Sequence, residues 1–231
     1  MENIYTSGEY LKSNPDWHEG DSEWKATQIK KMMDHNHISP KTICEIGCGT
    51  GMVLSSLQQH MESNVTFSGY DISPQAIERA RTRENENLHF FNEDATKHPN
   101  QFFDVILLID LIEHLENYFD FLCTIKPMST YKILHIPLDL SAQSIARINT
   151  ILDRRKKVGH IHYFTKEIAL QMLRDLGYEV IDSFFTGASI DLPSKSFKSM
   201  LARFPRKFFF KLCPDFSVRL LGGYSLMVLV K

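Results

Sequence analysis

The chain has 231 residues, of which 43% are hydrophobic, and its formal net charge at pH 7 is −2. This length can bury one large core, which indicates a single domain or a domain with an insertion. The near-neutral charge excludes a global electrostatic drive toward nucleic acid, so we expect no nucleic-acid partner. No stretch approaches the roughly 20 apolar residues that a membrane span requires.

Cysteine usage and the start of the chain predict a reducing compartment. The four cysteines include no CxxC pair. The first residues, MENIYTSGEYLKSNPDWHEG, lack the apolar run of a signal peptide. We therefore expect a cytoplasmic protein.

Residues 1–40 are predicted to hold a lid and a helix. Asp21 is placed to cap a helix that carries Trp24 and ends near His35. The segment before this helix is aromatic but aperiodic, and it includes Trp17 and His18. Two roles stay open for it: a lid over a ligand, or a cover for an edge of the core.

Strand-sized apolar runs alternate with stretches of helical period over residues 41–185, which predicts a parallel sheet flanked by helices. One of the helices is predicted to begin with Ser73 as N-cap and Pro74 as first helical residue. Another is predicted to run from near Thr165 to Gly177. The predicted strands are Thr42–Ile46, Val65–Tyr70, Leu88–Phe91, Asp104–Ile109, Lys132–Ile136 and the runs at 178–185 and 224–230.

Residues 186–223 separate the last two strands, and residues 224–231 are the final strand of the α/β domain. The segment is too long for a hairpin turn and too apolar for a disordered linker, so it predicts a helical insertion or cap. Between Asp191 and Asp215 its basic residues are interleaved with aromatic and aliphatic ones; they are Lys195, Lys198, Arg203, Arg206, Lys207 and Lys211. Such a mixture fits either peripheral membrane contact through 195–211 or a cap packed on the sheet. Pro205 and Pro214 favour the cap, because they divide the segment into short helices.

The sequence CEIGCGTGMV at residues 44–53 places three glycines after the first strand. They are Gly47, Gly49 and Gly51. Glycines in this pattern suit a tight turn that lets a ligand approach the backbone. A phosphate loop would need a lysine followed by Ser or Thr, whereas Met52 and Val53 follow here. A dinucleotide fingerprint would need a glycine at Met52, which weakens that alternative without excluding it.

Asp71 lies 20 residues after Gly51, at the end of the second predicted strand. A carboxylate there can accept hydrogen bonds from both hydroxyls of a ribose. The alternative is that Asp71 only caps the turn before Ser73. Together with the glycine loop, this spacing favours a cofactor that carries a ribose.

Four segments occur in order: CEIGCGTG, GYDIS followed by AIERAR, NEDAT, and FDVILLIDLIEHLEN. In this arrangement the chain resembles the class I S-adenosylmethionine-dependent methyltransferases, and more closely their small-molecule branch. The resemblance is strong from about Lys41 to Pro137, looser over 159–180 and weak over the insertion. It implies a doubly wound, Rossmann-like α/β fold with a seven-stranded, mostly parallel sheet whose last strand is antiparallel. It also implies S-adenosylmethionine as the cofactor.

The resemblance assigns cofactor-binding roles to residues at the C-terminal ends of predicted strands. Those at the end of the first strand and in the loop after it are Glu45, Gly47, Cys48, Gly49 and Gly51, of which Glu45, Gly47 and Gly49 would line the methionine end of the cofactor. The others are Asp71 for the ribose, Ile72 against the adenine, Asp94 and Ala95 at the adenine edge, and Ile109 and Asp110 below the sulfonium. An open α/β sheet binds its ligands at this edge.

Methyl transfer is an in-line displacement, so the protein mainly aligns the acceptor and excludes water. A base near neutral pH helps when the acceptor is an amine, thiol or phenol, and histidine fits this task. His135, His160 and His162 are the candidate catalytic residues, with bonds to loop backbone as the alternative for the last two. The resemblance gives His114 a structural role. Trp17, His18 and Asp139, with the insertion, are predicted to shape the acceptor pocket.

Four residues, His135, Asp139, His160 and His162, could gather as a nitrogen and oxygen site for a metal ion. No closely spaced pair of ligands supports that arrangement, so the sequence predicts no metal ion. The predicted function is therefore methyl transfer to N, O or S of a small-molecule acceptor. Two alternatives stay open: a membrane-docked lipid or quinone methyltransferase, and a non-catalytic nucleoside-binding module.

Overall fold

A seven-stranded sheet organises the computed structural model, which describes residues 19–192 and 206–231. Its strands are β1 (Thr42–Ile46), β2 (Thr66–Tyr70), β3 (Leu88–Phe91), β4 (Phe103–Ile109), β5 (Ser129–Pro137), β6 (Val180–Thr186) and β7 (Ser225–Val230). They lie in the order β3-β2-β1-β4-β5-β7-β6. The first five strands pair in parallel, and β7 runs antiparallel to β5 and β6. The predicted Rossmann-like sheet with an antiparallel last strand is confirmed.

Helices connect the strands and cover both faces of the sheet. They are α1 (Ser22–His35), α2 (Met52–Gln58), α3 (Pro74–Arg81), α4 (Tyr118–Ile125), α5 (Ala142–Ala146), α6 (Ile148–Val158), α7 (Lys166–Asp175), α8 (Ala188–Asp191) and α9 (Pro214–Leu221). Residues 206–212 are also helical. Short 3-10 turns occupy Glu19–Asp21, Ala95–Lys97, Ile112–His114 and Lys126–Met128.

Two helix starts test the capping predictions. The Ser73 hydroxyl accepts a hydrogen bond from the Ala76 amide, and Pro74 is the first residue of α3, as predicted. Asp21 lies at the N-cap position of α1, but its side chain makes no capping bond. The prediction is therefore right about the position of Asp21 but wrong about its side chain, which does not cap the helix. The Asp21 carboxylate instead lies 3.0 Å from the ammonium of Lys25, one turn further along the helix.

Both faces of the sheet are buried, and the central strand β4 shows how. Val105 and Leu107 belong to the core on the side of α1, α2 and α3. Ile106 and Leu108 belong to the core on the side of α4 and α7. A strand covered on both faces leaves its ends as the places where polar loops can gather. The C-terminal ends of β1, β2, β4 and β5 therefore form the edge where a ligand can bind.

The described part of 186–223 packs one face on the domain. Phe210 stacks on Tyr224 with ring centroids 4.9 Å apart, and Val218 of α9 is buried. Ion pairs from Asp215 and Arg219 reach α7. Within the described residues, no helix combines the length and apolar character needed to cross a bilayer.

Gly51 is needed for packing as well as for the turn. Its φ is +74°, a conformation that strains residues with a side chain. A Cβ at this position would lie 2.3 Å from Cζ of Phe90 in β3 and 3.1 Å from Cβ of Ala80 in α3. The loop after β1 therefore rests directly on the neighbouring strand and helix.

We expect Gly51→Ala to lower the free energy of unfolding by about 2–4 kcal/mol, because it adds overpacking to backbone strain. Gly20→Ala is the matched control, since no atom of the described residues lies within 4 Å of a Cβ there. Its effect should stay within about 0.5 kcal/mol. Urea unfolding monitored by circular dichroism measures both variants, and equal stability would contradict this packing role.

Candidate functional site

The glycine loop after β1 is tied to the end of β2. The amides of Gly47 and Cys48 donate to the Tyr70 carbonyl at 2.8 and 3.1 Å. The Gly49 amide donates to Oδ2 of Asp71 at 2.8 Å. Gly47 and Gly49 stay half-buried, whereas Cys48 is buried. The two strand ends thus bring the loop and the carboxylate into one site.

Asp71 accepts backbone hydrogen bonds through both carboxylate oxygens. In addition to the Gly49 amide, the Ser73 amide donates to Oδ1 at 2.8 Å. The turn-capping role is therefore present. Burial raises the pKa of the Asp71 carboxyl, against the lowering effect of the Ser73 and Gly49 amides. A carboxylate offers about four lone-pair positions, so these two bonds leave capacity for further donors. Its ribose role stays a prediction.

Glu45, at the fourth position of β1, is a buried carboxyl beside the glycine loop. Glu45 is only 2% exposed, and its Oε2 has no hydrogen-bond partner among the residues that the structure describes. Burial raises the pKa of Glu45 well above its usual range, and the charges of Asp71 and Asp110 raise it further, against the ammonium of Lys25. The site thus contains an acceptor that the described chain leaves unsatisfied.

The other predicted cofactor residues lie at the same edge of the sheet. Ile72 directly follows Asp71 and is 42% exposed. Asp94 accepts bonds from the amide and the hydroxyl of Thr96, and Ala95 next to it is buried. Ile109 ends β4 and is buried. Their contacts with a cofactor stay predictions. Trp17 and His18 lie outside the described residues.

Asp110 joins three elements through two ion pairs. Its Oδ2 lies 2.8 Å from the Lys25 ammonium in α1, and its Oδ1 lies 2.6 Å from Nδ1 of His135 in β5. Burial raises the pKa of Asp110, but the charges of His135 and Lys25 outweigh it and hold this pKa well below the usual range. Asp110 has a φ of +50°, which a residue with a side chain rarely adopts. Its backbone is therefore held by the partners of its side chain.

His135 is enclosed by this network. It is 3% exposed, and its Nε2 lies 2.8 Å from the Thr186 hydroxyl at the end of β6. The edge of the Trp24 ring also packs on it, with centroids 6.1 Å apart. Both ring nitrogens thus have protein partners, and His135 links β5 to β4 and β6. Its catalytic role stays a prediction.

Lys25 is the functional residue that sequence reasoning missed. Its residue is 8% exposed, and it pairs with Asp21 as well as Asp110. The attraction of Asp110 and Asp21 outweighs the burial that lowers its pKa, so the net pKa is raised. The sequence feature that could have revealed Lys25 is its spacing from Ile29 and Met32, because residues at this spacing lie on the same, buried face of α1.

The remaining predicted residues are His160, Asp139 and His162, and they take part in two separate contacts. Nδ1 of His160 lies 2.6 Å from Oδ2 of Asp139, and Arg154 also pairs with Asp139. Burial lowers the pKa of His160 to about 4. Nε2 of His162 contacts the Leu115 carbonyl at 2.9 Å, which is the backbone contact expected as the alternative. Within the described residues, His135, Asp139, His160 and His162 do not gather closely enough to share an ion.

Glu113 is a buried acid that sequence reasoning did not single out. It lies in the 3-10 turn after β4, and its carbonyl accepts the amides of Ile161 and His162 at 2.9 and 3.1 Å. Burial raises the pKa of its carboxyl well above the usual range, and the charge of Asp110 adds to the effect. The available signal was its position directly after the apolar pair Leu111 and Ile112, at the end of a buried strand.

The comparisons with known proteins agree with this arrangement. A family model described as a methyltransferase domain matches residues 17–183. The chain belongs to this family of methyltransferases, so the predicted family and enzyme class are confirmed. No curated protein matches the sequence.

Several solved structures share the fold. Magnesium protoporphyrin IX methyltransferase (ChlM) from Synechocystis PCC 6803, with bound SAH, has a TM-score of 0.60 and 13% identity, covering 90% of this chain and 82% of that one. A SAM-dependent methyltransferase from Archaeoglobus fulgidus has a TM-score of 0.56 and 19% identity, covering 89% and 94%. The plantazolicin methyltransferase BpumL, in complex with a monoazolic desmethylPZN analog and SAH, has a TM-score of 0.58 and 20% identity, covering 97% and 88%.

We expect Lys25→Met to lower the free energy of unfolding by about 3 kcal/mol, because it leaves Asp110 and Asp21 without their buried cation. The matched control is Lys30→Met on the same helix, where the ammonium pairs with Asp34 at the surface. That change should cost less than about 1 kcal/mol. Urea denaturation compares the two variants. If the losses are equal, the Lys25 pairs contribute no more than a surface ion pair.

Proposed function

We propose that this methyltransferase binds S-adenosylmethionine at the glycine loop and transfers its methyl group to a small-molecule acceptor. The observation that carries the proposal is the bond from the Gly49 amide to Asp71, which joins the glycine loop and the ribose-binding candidate in one site. Both ChlM and BpumL were solved with SAH, and the acceptors in their names are small or peptide-derived molecules.

The residues at the edge of the sheet suit the parts of this cofactor. Asp71 retains lone pairs that can accept ribose hydroxyls. The unsatisfied Glu45 carboxyl suits a cationic group, such as the ammonium of a methionine moiety. Ile72 offers an exposed apolar side chain beside Asp71, which suits the face of a purine ring. The three residues fit a molecule with a cationic, a ribose and an aromatic part.

The cofactor supplies a methyl group on a sulfonium, and its sulfur leaves as a neutral thioether when the acceptor's lone pair bonds to the methyl carbon. The chain's own residues have to align the acceptor and exclude water. Asp110 and its partners give the end of β4 a fixed position for this task. The proton that an amine, thiol or hydroxyl acceptor loses requires a base or an activating group.

We expect isothermal titration calorimetry to detect both S-adenosylmethionine and its demethylated product binding to the protein. Asp71→Ala should weaken each by about 30-fold or more, since bonds to a charged acceptor contribute about 2 kcal/mol. Asp175→Ala, which changes an exposed aspartate at the end of α7, is the matched control and should bind normally. Binding of NAD instead, or no heat with either ligand, would overturn the cofactor proposal.

A turnover assay on the same protein distinguishes an enzyme from a protein that only binds the cofactor. With S-adenosylmethionine and the small-molecule fraction of a cell extract, it should release the demethylated product, while the macromolecular fraction should give none. Release only with the macromolecular fraction would contradict a small-molecule acceptor. Binding without release in any fraction would favour the non-catalytic nucleoside-binding module.

A second candidate function, methylation of a lipid or quinone at a membrane surface, is favoured by one observation. Large apolar side chains on the outer face of 206–221 are exposed by 41–63%; they are Phe208, Phe209, Leu212, Phe216 and Leu220. Lys207 and Lys211 are exposed among them. Aromatic side chains that dip below lipid headgroups, with lysines at the anionic surface, are typical of peripheral membrane contact.

If this outer face docks on membranes, the protein should float with anionic vesicles at low salt and less at physiological salt. Replacing both Lys207 and Lys211 by glutamate should abolish flotation, since each basic residue contributes about 1 kcal/mol near such a surface. The control pair is Lys30→Glu with Lys41→Glu, which makes the same charge change elsewhere. If the wild-type protein does not float, membrane docking is contradicted and methyl transfer to a soluble small molecule stays as the proposed function.

A further inference from the structure

Glu113, His114 and His160 each bring one potential metal-ligating atom into a single cluster. Nε2 of His114 lies 3.9 Å from Oε1 of Glu113, and Nε2 of His160 lies 4.0 Å from the same oxygen. Within residues 19–192 and 206–231, these three form the one group of potential metal ligands whose donor atoms all lie within 4.8 Å of one another. These distances are too long for hydrogen bonds. Two donors on one ion at about 2.1 Å lie about 3.4 Å apart in a tetrahedral site, so a small contraction would let them share an ion.

The partners of the other ring nitrogens fix the form of both histidines. Nδ1 of His114 contacts the Gly159 carbonyl at 3.1 Å, and Nδ1 of His160 contacts the Asp139 carboxylate at 2.6 Å. A carbonyl and an ionised carboxylate can only accept, so each Nδ1 carries the proton. A neutral imidazole of this form presents a lone pair at Nε2. In their neutral form, both imidazoles would therefore offer an Nε2 lone pair on the side of Glu113.

The carboxyl of Glu113 completes the group. The residue is fully buried, and neither Oε1 nor Oε2 has a hydrogen-bond partner among the described residues. A buried carboxylate without a partner is costly, and two imidazole lone pairs beside it add no compensation. A cation at the centre would give the Glu113 carboxyl a partner, with the two imidazoles as further ligands. We propose that Glu113, His114 and His160 bind a divalent transition-metal ion.

The ligand types indicate which ion. Two imidazole nitrogens and one carboxylate oxygen form the set found in zinc sites that keep an open position, whereas magnesium prefers oxygen ligands alone. Metal-binding histidines usually donate their second N–H to a carboxylate or a carbonyl, as Asp139 and Gly159 provide here. Both histidine side chains are 12% exposed, which leaves one side of the group near solvent. Zinc is therefore the ion to test first.

The location gives the ion a use that rests on the proposed methyl transfer. Glu113 follows Asp110 by three residues, in the turn that leaves β4 at the ligand edge of the sheet. A Lewis-acidic ion there would bind an acceptor oxygen and lower the pKa of its hydroxyl. The acceptor class that follows is a hydroxyl compound, methylated on oxygen. His160 then acts as a metal ligand instead of the acceptor's base.

The decisive experiment is metal titration of the full chain, purified without an affinity tag and stripped with a chelator. We expect one equivalent of Zn²⁺ by calorimetry, and Co²⁺ should give visible absorption bands of nitrogen and oxygen coordination. Glu113→Gln and His160→Asn should each weaken Zn²⁺ binding by at least about 100-fold, because each removes a ligand. The matched control is His98→Asn, which breaks a surface contact between a histidine and Glu93. It should bind Zn²⁺ normally.

A second measurement keeps the proposal testable if a variant does not fold. In long-range proton–nitrogen spectra of the wild-type protein, Zn²⁺ should shift the Nε2 signals of two histidines while their Nδ1 atoms stay protonated. No stoichiometric Zn²⁺ binding, or binding that survives both ligand changes, would overturn the site. An unchanged Co²⁺ spectrum on addition of acetohydroxamate, an oxygen-donor probe, would overturn the open position for an acceptor.

Binding of the demethylated cofactor, measured on the same samples, separates this proposal from the proposed function. Zn²⁺ binding without cofactor binding would leave the metal site standing and remove the methyl-transfer role. Cofactor binding without Zn²⁺ binding would leave the proposed methyl transfer standing and overturn the metal site. Retained cofactor binding in Glu113→Gln would also show that a loss of Zn²⁺ affinity is not a loss of fold.

Discussion

The ion pairs of Asp110 are the constraint on which the ligand edge of the sheet depends. One carboxylate holds Lys25 of α1 and His135 of β5, and His135 in turn reaches Thr186 of β6. A buried carboxylate held by a lysine and a histidine is stabilised only while both partners keep their places. The network therefore fixes the N-terminal helix against the strand ends, at the residue where the chain leaves β4 with a positive φ.

This departure from β4 connects the two parts of the candidate site. Directly after Asp110, the Leu111 side chain covers the glycine loop so closely that a Cβ at Gly47 would lie 2.7 Å from its Cδ1. The next residues form the 3-10 turn that carries Glu113 and His114. One strained residue thus sets both the space over the glycine loop and the position of the buried acid. A change at Asp110 is expected to act on both parts together.

The sequence was sufficient for the sheet and for the strand ends, because these follow from local patterns. Apolar runs, the Ser73 cap and the glycine loop each act within a few residues. The partners of the polar residues were not predictable in this way. His135, His160 and His162 looked alike as strand-end or loop histidines, yet one joins a buried ion network, one contacts Asp139 and one contacts a backbone carbonyl. Such differences arise from contacts over 21 to 51 residues of chain.

The balance of charge at this edge indicates what the chain lacks. Asp110 and Asp139 have cationic partners from the chain itself, in Lys25 and Arg154. Asp71 is satisfied by backbone amides. The carboxyls of Glu45 and Glu113 are buried with oxygen atoms that have no hydrogen-bond partner in the described structure. A buried acid without a partner destabilises a fold. Its presence is explained when a ligand supplies that partner. A sulfonium cofactor with an ammonium group beside Glu45 and a metal ion at Glu113 would each supply the positive charge that these acids lack.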